Sequence, residues 1–455
     1  METKIIKKNF QTAKAIARDL SLFRGPICEY PPLFLWNKLK YCDILKGWEI
    51  LLNRSSNPDI LLFVNSPFCR SKCKYCDYCA LHYYSKEELK KYLKSISFIT
   101  NELSFLKNRI KIFYISGGDL NAVPQWYLEQ LYYILDKKFN VNNCLEKHIG
   151  ITHSIPNVSF LKFIERVGFQ KAVFQIQSLN KNFSTNELRR PLNYYSLQKT
   201  IDLLTKYGIK KIKFEWIVGI PGQTLNDIKK EFYFLKKINP SEIVIVPHRK
   251  AFYNLMDNFR YKNIQPKLPV NVNFKEHIHC NLLVKTAKKL LENYSQKQSI
   301  SFENFSVLGI GYGALSHIFG ILQYTILDVY LNPNREKNIN IYGTYMNFNR
   351  ELIRYAILNF FESGNLEKDK MVNIFGQNAI DIISNILKPF EEKGLILETD
   401  KNWFISKKSM LNNAIFSAML YEKSIKYKFN KIKSKRKKYY KNLEKDLLKV
   451  YSFYE

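Results

Sequence analysis

The sequence predicts an α/β fold. Its centre is a partial (β/α)6 barrel, with an N-terminal extension and a C-terminal winged-helix-like domain. Two observations carry this. Six short apolar, β-branched or aromatic runs alternate with helical patterns across residues 59–250. Past about residue 346 the pattern changes to two helices followed by a short β pair. Strands alternating with helices imply βαβ units and a parallel sheet buried on both faces. The strands are expected at Ile60–Asn65, Lys111–Ser116, His148–His153, Ala172–Ser178, Lys211–Gly219 and Glu242–Pro247. The helices between them are expected at Lys86–Lys107, Gln125–Lys137, Val158–Val167, Ser196–Tyr207 and Leu225–Lys237. In such barrels chemistry sits on the loops after the strands.

The flanks read differently. Residues 1–58 form the extension, with a turn-rich stretch at Gly25-Pro26-Ile27-Cys28-Glu29-Tyr30-Pro31-Pro32. Residues 251–345 extend the barrel toward a substrate region. They contain Val307-Leu308-Gly309-Ile310-Gly311-Tyr312-Gly313-Ala314, read as a small-residue loop where backbone can approach a ligand. The winged-helix-like unit spans 346–420: a helix over Ala379–Lys393, Gly394 as its C-cap, then strands Leu395–Glu398 and Asn402–Ser406. Residues 421–455 make a basic helical tail.

Composition narrows the function classes. With 455 residues, 46% of them hydrophobic, the chain can bury a large core in more than one domain. Half of its eight cysteines lie between Cys69 and Cys79, so they do not form an evenly spread disulfide framework. Met1 to Asp19 is charged and lacks a signal-peptide core, and no run of about twenty apolar residues exists. A cytoplasmic location without a membrane span is therefore expected. The net charge of +31 favours anionic partners. Lys433-Ser434-Lys435-Arg436-Lys437-Lys438 reads as a solvated face, with no zinc-finger, helix-turn-helix or RNA-binding aromatic signature beside it, so no nucleic-acid partner is expected.

The chemistry follows the first strand. Cys69, Cys73 and Cys76 are spaced C-x-x-x-C-x-x-C. Three thiolates in one tight loop can hold three irons of a cubane cluster and leave the fourth iron open. Zinc is the competing reading, because Cys76-x-x-Cys79 is a legitimate half-site. The barrel context weighs against it. The other motifs also follow strands: Gly117-Gly118-Asp119 the second, His153 the third, Gln177-Ser178 the fourth, Gly219-Ile220-Pro221-Gly222 the fifth and His248 the sixth.

On these residues the chain resembles the radical S-adenosylmethionine (SAM) superfamily, and within it the oxygen-independent coproporphyrinogen III oxidase-like family. That family also holds haem chaperones and class C methyltransferases. The resemblance runs from about Gly25 to Phe416. Pro67-Phe68-Cys69 to Cys76-Asp77 matches the family's cluster loop, and Tyr75 matches an aromatic near the SAM adenine. Ser116-Gly117-Gly118-Asp119 resembles the Gly-Gly-Gly-Thr turn by the SAM amino group. Gln175-Ile176-Gln177-Ser178 resembles Gly-Val-Gln-Ser, which makes Gln177 a SAM contact. Arg190 is implied for the SAM carboxylate, which its forked guanidinium suits. Glu215, ahead of Gly219-Ile220-Pro221-Gly222-Gln223-Thr224, is implied for the ribose. Gly311 lies in a stretch resembling the loop near substrate or a second SAM.

The resemblance implies a 4Fe-4S cluster, one or two SAM molecules, and an electron donor such as flavodoxin or ferredoxin. The substrate it implies is a small molecule, with a tetrapyrrole as the founding case. Some positions depart from the family. Phe63 and Asn65 stand where the oxidases have tyrosine and histidine. Thr152-His153-Ser154-Ile155-Pro156 replaces Glu-x-Asn-Pro, and Asp119 replaces threonine. His153 is a candidate for the lost glutamate's role and Cys79 for an extra thiol near the cluster; His248 and His317 read first as structural histidines. A class C methyltransferase and a haem chaperone without turnover are the alternatives to an oxidase-like enzyme. No catalytic residue is assigned.

Overall fold

The computed structural model describes residues 30–31, 36–55, 58–70, 81–82, 84–152, 154–187, 192–220, 222–247, 305–331, 339–362, 364–392, 394–406 and 420, with a few helical positions between 283 and 291. Six parallel strands follow one another in space as they do in sequence. They are β1 (Ile60–Ser66), β2 (Ile110–Gly117), β3 (Glu146–Ile151), β4 (Lys171–Ile176), β5 (Lys211–Val218) and β6 (Glu242–Pro247). β1 is buried on both faces, with Ile60, Leu62 and Val64 on one and Leu61 and Asn65 on the other, whereas β5 alternates between buried and partly exposed positions.

The crossovers are helical: α2 (Lys86–Glu102), α3 (Gln125–Phe139), α4 (Val158–Val167), α5 (Tyr194–Lys206) and α6 (Leu225–Ile238). Their starts are specified locally. Ser85 and Glu88 form a capping box on α2, and Thr224 and Asp227 form one on α6. Asn157 caps α4, which ends on left-handed Gly168. Among the described residues, no helix is long and apolar enough to cross a membrane.

Several boundaries differ from the sequence expectation. The helix expected over Lys86–Lys107 stops at Glu102 and closes in a 3-10 turn, Ser104–Leu106, which buries Leu106. The third strand begins at Glu146 and ends at Ile151, short of His153. The small-residue loop expected over 307–314 is in part a strand: β7 (Ser306–Ile310) pairs in parallel with β1 on the side away from β2. Three antiparallel strands continue from it: β8 (Leu315–Ile318), β9 (Leu322–Ile326) and β10 (Ile341–Tyr345). The β7–β8 hairpin is tight because Gly309 lies where a Cβ would come 2.4 Å from the Leu315 carbonyl oxygen. A helix, α1 (Tyr41–Arg54), inside the N-terminal extension, seals this side. Its Trp48 is fully buried and donates Nε1–H to the Tyr324 hydroxyl at 2.9 Å.

A second buried cluster forms at the C-terminal end. It gathers α7 (Phe348–Glu362), β11 (Asn365–Glu367), α8 (Lys368–Phe375), α9 (Asn378–Glu391) and the antiparallel pair β12 (Ile396–Glu398) and β13 (Asn402–Ile405). Tyr30, fully buried, belongs to this cluster. The basic tail and most of 251–304 lie outside the described residues.

Candidate active site

All six barrel strands point their C-terminal ends to one rim. β1 delivers Asn65 and Ser66 there, then Pro67, Phe68 and Cys69. Phe68 and Cys69 pair with Leu81 and His82, and the Leu81 amide donates to the Pro67 carbonyl at 2.6 Å, which closes the neck of the cysteine loop. Phe68 is the anchor. It is fully buried, with its ring edge-on to Tyr84, Tyr92 and Tyr127 at centroid distances of 5.1, 5.2 and 5.6 Å. The Cys69 thiol is therefore held half-buried at the mouth of the loop. Cys73, Tyr75, Cys76 and Cys79 lie outside the described residues, as do His153, Arg190 and His248.

The turn after β2 docks on this neck. Gly118 donates its N–H to the Ser66 carbonyl at 2.6 Å, and Asp119 to the Phe68 carbonyl at 2.9 Å. Both glycines are required by protein atoms. Gly117 has φ +117°, and a Cβ there would meet the Asn65 side-chain oxygen at 1.9 Å. A Cβ on Gly118 would come 2.2 Å from the Phe68 carbonyl oxygen. Gly311 is similar: at φ +102°, its Cβ would meet the Tyr92 hydroxyl at 2.3 Å and the Asn65 carbonyl oxygen at 2.5 Å. Asn65 thus joins three loops. Its Nδ2 donates to the Tyr312 carbonyl at 2.5 Å, and its carbonyl accepts from the Tyr92 hydroxyl at 2.5 Å.

Two buried acceptors at the rim have no partner among the described residues, Asn65 Oδ1 and Gln177 Oε1, and each residue is only 4% exposed. An unsatisfied buried acceptor is costly, so a donor from outside the protein would be favourable there. Gln177 sits one residue past β4. Glu215, inside β5, accepts from Gln175 Nε2 at 3.2 Å. Burial pushes the Tyr114 hydroxyl pKa up, and the Glu215 charge adds to this. Asp119 is buried and accepts from Thr152 Oγ1 at 2.6 Å and Ser154 Oγ at 3.3 Å. At the opposite edge of the barrel, Lys171 and Lys213 pair with Glu242, and Lys211 and His148 with Glu146. These pairs sit at the N-terminal ends of the strands, where they serve the fold rather than chemistry.

His317 lies away from the rim, bonded to buried Glu351 of α7, as a structural histidine would be. Sequence reasoning missed Glu231 of α6, which is fully buried behind the β4 and β5 loops. The signal was present: Glu231 interrupts the apolar stripe Ile228, Phe232 and Leu235.

A parallel barrel whose first strand runs straight into a three-cysteine loop, flanked by a Gly-Gly turn, defines a radical SAM fold. The family model for the radical SAM superfamily matches residues 64–235. Oxygen-independent coproporphyrinogen III oxidase of Helicobacter pylori (strain ATCC 700392 / 26695) is 25% identical over 254 residues, 53% of this chain and 55% of that protein. The chain thus spans about half the length of that oxidase. Heme chaperone HemW of Bacillus subtilis (strain 168) is 20% identical over 384 residues, 79% of this chain and 99% of that protein. The solved structure of coproporphyrinogen III oxidase (HemN) from Escherichia coli superposes with a TM-score of 0.66 at 14% identity, covering 85% of this chain and 95% of that one. Residues 64–235 thus match the radical SAM superfamily, and the proteins this chain is similar to include ones named as oxidases and ones named as heme chaperones.

Proposed function

We propose that this chain binds a 4Fe-4S cluster through Cys69, Cys73 and Cys76 and uses it to cleave SAM, with a tetrapyrrole as the substrate class. The observation that carries the reading is the rim itself. The half-buried Cys69 thiol, the Gly117-Gly118 turn and Gln177, whose Oε1 has no partner among the described residues, lie past the ends of β1, β2 and β4 on one rim. The donor set fits the group. Three thiols suit three irons, and among the described residues Gln177 Oε1 lacks a donor, which an ammonium would supply.

When bound, the cluster supplies the electron that opens SAM to methionine and a 5′-deoxyadenosyl radical. The chain's own part is to bind and orient. Gly117, Gly118 and Gln177 would hold the methionyl end, Arg190 its carboxylate, Tyr75 the adenine face and Glu215 the ribose hydroxyls. Gly311, packed on Asn65 and Tyr92, would shape the wall toward substrate or a second SAM. A reducing cytoplasm and a small electron-transfer protein as donor complete the proposal.

A second reading, haem binding without turnover, is favoured by Asn65. The amide holds the strand end to the Tyr312 carbonyl at the position where the oxidase pattern has histidine, and the HemW relative aligns over nearly its whole length. One anaerobic assay separates the readings. Cluster-reconstituted protein is given SAM, a strong reductant and coproporphyrinogen III, and products are read by mass spectrometry. Deoxyadenosine with loss of substrate carboxylates is expected. Deoxyadenosine with S-adenosylhomocysteine would point to methylation instead. An intact cluster that cleaves no SAM, together with stoichiometric haem binding, would select the chaperone. Cys73→Ala should abolish SAM cleavage, and normal cleavage by that variant would remove the cluster assignment.

A further inference from the structure

Glu231 occupies a position that a leucine could fill. Its neighbours on α6, Ile228, Phe232 and Leu235, are buried against the sheet. Glu231 itself is 0% exposed. A carboxylate so buried is costly unless its oxygens are satisfied, and here the donors come from the rim. Oε1 accepts from Ser178 Oγ at 2.7 Å and from the Leu179 amide at 2.8 Å, both just past β4. Oε2 accepts from Trp216 Nε1 of β5 at 3.0 Å and from Gln223 Nε2 at 3.4 Å. Gln223 passes the connection on. Its Oε1 accepts from the Gly219 and Ile220 amides at 2.8 and 3.3 Å, and its Nε2 also reaches the Gln177 carbonyl at 3.4 Å.

We propose that Glu231 is a positioning residue: its carboxylate ties the loop after β4 to the loop after β5, and so fixes where Gln177 presents its free acceptor to SAM. The inference rests on the reading of the rim as a SAM site and adds the group that sets its geometry. The Leu179 amide, the Trp216 indole and the Gln223 amide can only donate to Glu231, so the charged carboxylate matches the network best. A proton or an amide on Oε2 would set a donor against the indole and Gln223 donors, whereas the Ser178 hydroxyl can turn to accept on the other side.

This gives the site a pH dependence that packing alone would not. Burial pushes the Glu231 carboxyl up to about 7, against the lowering effect of the Leu179, Ser178 and Trp216 bonds. The other titratable groups coupled to it among the described residues are Asp227 of α6 and Tyr194 of α5. SAM affinity should therefore weaken as pH falls through neutrality.

The test compares wild type, Glu231→Gln and the double variant Trp216→Phe/Glu231→Gln, each reconstituted to equal iron content. SAM binding is measured by equilibrium dialysis on both sides of neutral pH, and amide exchange is followed over residues 177–180 and 219–223. Glu231→Gln should bind SAM about tenfold more weakly, the factor implied by losing one hydrogen bond to a charged group. It should also lose the pH dependence and speed exchange in those two segments alone. The double variant removes the opposed indole donor and should recover part of the affinity. Should Glu231→Gln fail to fold, Glu231→Asp keeps the charge but is one methylene short of spanning both loops, and should show the same localised exchange. A wild type that binds SAM beside a Glu231→Gln variant of equal affinity and equal pH profile overturns this inference alone. A wild type that binds no SAM overturns the cofactor reading and this one together.

Discussion

Replacing Gly118 by alanine tests the seating of the cysteine loop most directly. The new Cβ would lie 2.2 Å from the Phe68 carbonyl oxygen, 2.7 Å from its carbon and 2.8 Å from the Phe68 nitrogen. Ordinary contact begins near 3.4 Å, so one segment must retreat by about 1 Å. All three atoms are backbone, so no rotamer change can relieve the overlap. Nor does Gly118 have a left-handed φ to complicate the reading. Overpacking of this kind costs about 1–3 kcal/mol. The displaced segment also carries the bonds from Gly118 N–H to Ser66 and from Asp119 N–H to Phe68. The expected result is a modest loss of stability in urea together with a marked loss of iron retained after reconstitution. Gly208→Ala is the control. Its φ of +97° makes alanine strained, but nothing lies within 4 Å, so stability should fall while iron stays at the wild-type level. A Gly118→Ala protein with wild-type iron content and SAM affinity would refute the argument that the turn seats the loop.

Two other perturbations follow from packing. Phe68→Ala should cost about 3–5 kcal/mol, the usual range for a buried phenylalanine, because three tyrosine rings lose their common partner; Phe68→Leu should cost much less, and equal midpoints in urea unfolding would contradict this. His317→Ala breaks a buried pair with Glu351 and should cost about 3–5 kcal/mol. The same pair gives a pH signature. Burial alone would raise the Glu351 carboxyl, but His317, Arg354 and the Gly320 amide outweigh it and hold the pKa below the usual 4.5. A lowered carboxylate contributes stability that is present above its unfolded value and lost as pH falls through the folded one. Wild type should thus lose stability on acidification below the usual glutamate range, and His317→Ala should show a smaller loss there, read by urea midpoints across that range.

Much of the barrel was legible because its first four strands are largely apolar and buried and its helices carry local start signals. Ser85 with Glu88, and Thr224 with Asp227, mark helix starts in the sequence before any tertiary contact forms. The features that were not legible depend on distant partners. Residues 307–310 read as a loop because two glycines lie in or beside them, yet Gly309 is there to let β8 fold back on β7. The helix Tyr41–Arg54 lies in an extension for which no element was expected there, and its Trp48 finds Tyr324 only through a contact 276 residues away. Glu231 stands beside Lys229 and Lys230 in the sequence. Only the apolar stripe around it and the buried Trp216 reveal which way it points.

The departures from the oxidase pattern are also better understood in contact than in sequence. Taken singly, Asp119 for threonine and the loss of the glutamate at the end of β3 look like two defects in one site. In space they form one arrangement, because the Asp119 carboxylate accepts from Thr152 and Ser154 of that same strand end. An acid has been lost from the strand and another stands in the adjacent turn, with hydroxyl groups facing it. Asn65 behaves likewise. Its side-chain oxygen fills the space left by Gly117, its backbone carbonyl helps fill that of Gly311, and Tyr92 bridges Asn65 to Tyr312. Random decay of a rim would leave cavities and opposed charges. Here Asp119, Thr152 and Ser154 contact one another, and at this rim Asn65 Oδ1 and Gln177 Oε1 are buried acceptors without a partner among the described residues, where a cationic ligand would supply donors. That pattern favours a site that has been rebuilt around a bound cofactor over one that has lost it.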